Sequence, residues 1–126
     1  MRPWMPSLIG LALLMTAQGC DYSPPPTDEE ASAYAEDAPP RGEPVRFFFY
    51  THCGVENARI GGRWWLAEQP LYGDDGEGSG PPDGWDNPQQ EGRLVIESPK
   101  RAVFSANGTT VVLVPSANDE PVRICR

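Results

Sequence analysis

Hydrophobic and polar positions divide the chain into three stretches that follow different rules. From Leu8 to Ala17 apolar residues run with no polar alternation. From Asp21 to Pro44 they almost vanish, and Tyr22 and Tyr34 are the only large apolar groups. From Val45 onward, short β-rich runs alternate with turn residues. Val45 to Thr51 reads as a strand with Phe47 and Phe49 on one face and Phe48 and Tyr50 on the other. Apolar groups on both faces predict a central strand. Asn57 to Ile60 and Arg63 to Ala67 flank Gly61-Gly62, and Ala102 to Ala106 and Thr109 to Val114 flank Asn107-Gly108. Both pairs tolerate the positive φ that a two-residue hairpin turn requires. Arg93 to Glu97 leads into a turn at Pro99, and Pro121 to Cys125 reads as a last short strand. No helix is predicted after residue 45. The fold class is all-β: a small sandwich or partly open barrel of about seven short antiparallel strands, preceded by a disordered tether.

The first stretch predicts a signal peptide over residues 1–19. Arg2 supplies the positive start, and the apolar run is too short to span a membrane as an anchor. Ala17-Gln18-Gly19-Cys20 resembles a bacterial lipobox. That resemblance implies a diacylglycerol on the Cys20 thiol and a mature chain beginning there. Ordinary cleavage after Gly19 is the alternative, and it gives a secreted protein. Two acyl chains hold a protein stably on a bilayer where one does not. The expected partner of Cys20 is therefore the membrane, and the expected location is the outer face of the cell membrane.

Residues 20–44 then form the lipidated cysteine and a tether. Prolines 24, 25, 26, 39, 40 and 44 stiffen it, and like charges extend it. It has too little apolar surface to offset its ordering entropy. Thr27 caps a marginal helix somewhere within Asp28 to Ala38. Residues 45–126 are the compact domain, interrupted by a long Gly/Pro/Asp loop at 68–92. Leu71, Tyr72 and Trp85 suggest that parts of this loop pack down on the domain.

Charge changes the picture less than its total suggests. The 126 residues carry −8 at pH 7, which argues against nucleic acid as a partner. The domain, with 11 acidic and 8 basic residues, holds only −3 of this. The tether holds −6, so the acidity says little about what the domain binds.

With Cys20 acylated, Cys53 and Cys125 remain, and export favours a disulfide between them. Closing so long a loop contributes up to about 4 kcal/mol. Strict alternation puts the two cysteines on opposite faces of their strands, which a bulge or strand end must resolve. Pairing of either with Cys20, or free thiols, are the alternatives.

Catalytic chemistry is thin. His52 and Cys53 adjoin, but neighbours on a strand point to opposite faces and cannot act as nucleophile and base. No Gly-x-Ser-x-Gly elbow is present. The acidic run at 73–80 fails the alternation of an EF-hand loop, because Gly76 and Gly78 stand where ligands belong. It reads as a solvated loop rather than as an irregular calcium site built from Asp74, Asp75, Glu77, Asp83 or Asp86. No catalytic residue, metal site or cofactor is assigned, and the expectation is a non-enzyme. Trp64 and Trp65 alternate on one strand, so one faces the core and the other the opposite side. Trp64, Trp65, Tyr72 and Trp85 are the candidate binding surface for a cell-envelope protein or a glycan. Core packing of each ring is the bland reading.

Thr51-His52-Cys53-Gly54-Val55-Glu56, Gly62-Arg63-Trp64-Trp65, the Pro81 to Pro88 segment and Arg101-Ala102-Val103-Phe104 resemble small exported actinobacterial lipoprotein-like proteins of unknown function. The resemblance covers residues 47–106. It implies export and favours a lipoprotein. It also implies that Trp85 and its flanking prolines belong to the domain, and it implies no particular activity. The expected function is that of a membrane-anchored extracytoplasmic lipoprotein whose all-β domain binds something in the envelope. A secreted small-ligand or carbohydrate-binding module using exposed tryptophans is the alternative.

Overall fold

The computed structural model describes residues 24–73 and 80–125. The expected signal peptide, Cys20 and the acidic residues Asp74, Asp75 and Glu77 lie outside them. The fold is all-β. After one helical turn, α1 (Asp28–Ala31), come β1 (Val45–Tyr50), β2 (Val55–Ile60), β3 (Arg63–Leu71), β4 (Gln89–Ser98), β5 (Arg101–Ala106) and β6 (Thr109–Pro115). They form one antiparallel sheet in the order β1-β4-β5-β6-β3-β2. β1 and β2 are the two edges of this sheet, yet only residues 51–54 join them. So short a link forces the sheet to curl until its edges meet beside it. The result is a partly open barrel with a seam between β1 and β2.

The hairpin turns follow the sequence reading. Gly61 and Gly62 have φ of 61° and 76°, and Asn107 and Gly108 have 51° and 73°. Positive φ at both central residues matches the twist of the flanking strands. Inside the curl, Phe47, Phe49, Ile60, Leu94, Phe104 and Leu113 are buried. The rings of Phe47 and Phe49 lie 6.0 and 5.1 Å from that of Phe104. Gly92, paired with Phe47 on β1, makes room for them. A Cβ there would stand 2.5 Å from Phe104 Cζ.

Four expectations need correction. β1 is an edge strand, not a central one. On its second apolar face the Arg46 guanidinium sits 4.8 Å above the Phe48 ring, and Tyr50 is exposed. The loop at 68–92 shrinks to residues 72–88, because β3 runs on to Leu71 and β4 starts at Gln89. Gln89 to Gly92 carry no apolar signal but pair with Tyr50 to Phe47. Pro121 to Cys125 is not a strand. Side chains fasten this tail instead, and six strands remain among the described residues.

The fourth correction concerns the tether. Residues 24–44 do not hang free of the domain. Tyr34 packs against the core and Pro39 is buried. Gly61 and Gly62 donate to the carbonyls of Tyr34 and Ala35 at 2.9 and 2.7 Å, and Gly42 donates to Ile96 at 2.8 Å. Arg41 Nε donates to the Glu97 carbonyl at 2.8 Å. One aromatic ring packed on the core, the buried Pro39 and these backbone and side-chain hydrogen bonds together hold a segment that composition alone reads as disordered.

Candidate functional site

The seam between the edge strands is where the fold leaves room. No hydrogen-bonded ladder joins β1 to β2, and a cavity of about 330 Å³ opens there. β1 contributes Phe47, Phe48 and Tyr50, and β2 contributes Asn57, Ala58 and Arg59. Trp64 on β3, opposite Arg59, adds an indole wall. The Arg59 guanidinium lies 5.8 Å from that ring, so cation and aromatic face hold each other.

The N-terminal segment crosses this seam as a strap. Thr27 caps α1, its Oγ1 accepting from Glu30 N at 3.2 Å. Glu30 Oε2 lies 3.8 Å from Arg46 Nη1 on β1, and Glu36 Oε1 accepts from Arg59 Nε on β2 at 3.2 Å. The strap thus spans from one edge strand to the other, and its small side chains Ala31, Ser32 and Ala35 line the cavity. Arg46 opens β1 and Arg59 nearly closes β2. Both therefore lie at the end of the seam remote from the 51–54 link.

The C-terminal tail lies at the other end. Cys53 and Cys125 stand at disulfide distance, with Cα atoms 6.1 Å apart. The alternation conflict disappears because Cys125 follows an irregular tail that can turn its side chain freely. Arg123 binds Glu56 Oε1 through Nε at 2.7 Å and the Cys53 carbonyl through Nη2 at 3.0 Å. Val122 N donates to Asn57 Oδ1 at 3.0 Å. Glu56 is buried, and a register shift between Val55 and Asn57 puts both Val55 and Glu56 out of solvent. Its second oxygen accepts from Tyr72 Oη at 2.8 Å. Partial burial raises the Tyr72 pKa above its ordinary value of 10.0, and donation to the Glu56 carboxylate adds to the shift.

The four rings singled out by the sequence do not make one surface. Trp65 is 2 % exposed and donates its indole N–H to the Ile60 carbonyl at 3.3 Å. Trp85 is half-buried, 6.2 Å from the Phe104 ring. Tyr72 is exposed but bound to Glu56. Of the four, Trp64 alone lines the seam. Trp85 and its prolines belong to the domain: Thr51, fully buried, donates its N–H to the Pro88 carbonyl at 2.7 Å and its hydroxyl to the Asp86 carbonyl at 2.6 Å. His52 is exposed, with Nδ1 3.0 Å from Asn87 Oδ1. Asp83 and Asp86 are exposed. Among the described residues no group of three or more His, Cys, Asp or Glu is placed to hold a metal ion.

Sequence reasoning missed the seam itself and its residues Arg59, Ala31, Ser32 and Ala35. One signal was available. Tyr34 is a lone large ring in an acidic, proline-rich segment, and a ring in such a place is worth reading as an anchor. Comparison of the chain with protein-family models, curated proteins and solved structures found no match.

Proposed function

We propose that this protein is a non-enzymatic, membrane-anchored extracytoplasmic lipoprotein whose β domain binds a small ligand in the seam between β1 and β2. The observation that carries the binding part is the strapped cavity of about 330 Å³. It is in the range of small-ligand pockets, mostly apolar, with a few polar groups at its ends. The anchoring part rests on the sequence alone, on Arg2, the Leu8 to Ala17 run and the Gly19-Cys20 junction. For the alternative, a secreted small-ligand or carbohydrate-binding module using exposed tryptophans, Trp64 remains on the cavity, while Trp65 is buried and Trp85 packs against the core.

Native mass spectrometry of protein purified from its own envelope is the test. The wild type should carry a ligand that Ala35→Trp, which fills the seam, removes. If wild type and Ala35→Trp carry the same added ligand mass, or neither carries any, the seam is not the site. In parallel, Cys20→Ala should move the protein from the membrane to the soluble fraction. Retention of Cys20→Ala on salt-washed membranes would refute the lipid anchor.

A further inference from the structure

We infer that the seam takes a single-chain carboxylate of the fatty-acid type, its tail along the slot and its carboxylate on Arg59 in place of that of Glu36. This rests on the seam being a ligand site and adds the chemical class of the ligand. Shape is the first reason. The cavity walls run from Phe47 to Tyr50 on one side and from Gly54 to Arg59 on the other. The cavity of about 330 Å³ therefore follows the strands along the seam. An unbranched chain can lie along such a seam.

The lining is the second reason. Phe47, Phe48 and Trp64 give apolar walls, and Ala31 and Ala35 give a roof that leaves space for a chain. The end opposite Arg59 is lined by Cys53, Cys125 and Ile124. An apolar tail gains most by pointing there, which leaves its polar head at the remote end.

Charge complementarity is the third. Two arginines line the slot, Arg59 and Arg123. Arg123 is committed at the tail end to buried Glu56 and to the Cys53 carbonyl. Arg59 lies at the end the strap crosses, donating Nη2 to the Gly62 carbonyl at 3.1 Å, and its carboxylate partner Glu36 has a side chain 73 % exposed. That pair is solvated and easily exchanged. Its geometry is itself a carboxylate resting on a guanidinium over an indole face. A ligand carboxylate reproduces it, with the tail adding burial that Glu36 cannot offer. The strap is then a built-in competitor: Glu36 holds Arg59 while the slot is empty, and its displacement admits the head group.

Calorimetric titration of the full-length Cys20→Ala protein, which needs no detergent and carries no acyl chain of its own, tests this. Decanoate should bind about tenfold more tightly than decanol, which has the same chain and no charge. Arg59→Gln should weaken decanoate about tenfold and leave decanol unchanged. Glu36→Gln should strengthen decanoate a few-fold by removing the competitor, an increase that a misfolded variant could not give. Equal binding of decanoate and decanol, unmoved by either substitution, overturns the carboxylate and leaves the seam site standing. Decanoate binding unchanged by Ala35→Trp puts the ligand elsewhere and overturns the inference. Binding of neither compound overturns it too, and a ligand on the native protein that Ala35→Trp removes would then show that the site itself survives.

Discussion

Glu56 is the residue on which the C-terminal end of the seam turns. A buried carboxylate needs partners, and it has two: Arg123 from the tail and the Tyr72 hydroxyl from the start of the β3–β4 link. Tyr72 therefore ties stability to pH. Its folded pKa lies above the unfolded value near 10, so the unfolded chain releases this proton first. The contribution is fully present below about pH 10 and is lost as pH rises through the folded value. Urea midpoints at about pH 9 and pH 11 should fall more for the wild type than for Tyr72→Phe, which has no proton to lose; equal falls would remove Tyr72 from the account. At this scale the sequence was readable where alternation governs. Trp64 and Trp65 divide between outside and inside as their adjacency demands. It was unreadable at Gly92. There the absence of a side chain serves the Phe104 ring on β5, which is neighbour to Gly92 only after the sheet forms.

Among the elements, the strap is the one whose behaviour departs most from its composition. Residues 27–38 form a single helical turn and a bend, too short to be stable alone. Their order comes from Tyr34 on the core and from the two backbone bonds to Gly61 and Gly62. The ion pairs to Arg46 and Arg59 are exposed and add little. Tyr34→Ala should cost about 1–2 kcal/mol in urea unfolding and open residues 27–38 to limited proteolysis, while Glu30→Gln with Glu36→Gln should leave both nearly unchanged. Wild-type cleavage rates in Tyr34→Ala would show that the ring does not hold the strap. The hairpins at Gly61-Gly62 and Asn107-Gly108 were legible because a two-residue turn is a local decision. The first half of β4 was not. Gln89 to Gly92 are strand because Tyr50 to Phe47 need a partner, and no local propensity records that need.

For the whole molecule, the determining constraint is topological. Placing consecutive strands β1 and β2 at opposite edges of one sheet leaves a seam, and both chain ends are then used to close it. The strap covers one end and the Cys125 tail the other. Cys125→Ser should cost about 2–4 kcal/mol, measured as a shift in thermal midpoint that reduction of the wild type reproduces. Reduction without a shift would mean that the tail is held by Arg123 and Asn57 alone. The sequence by itself determined the all-β class, the hairpin turns and the alternation of the tryptophans, and it left the cysteine pairing open until the structure set Cys53 beside Cys125. Each of the three depends on residues adjacent in the chain. Only the tertiary structure decided that β1 is an edge, that residues 24–44 are docked and that a cavity lies between β1 and β2 with Arg59 at the end the strap crosses. Those features arise where segments distant in sequence compete for the same surface, and the winner is set by what the curled sheet leaves uncovered.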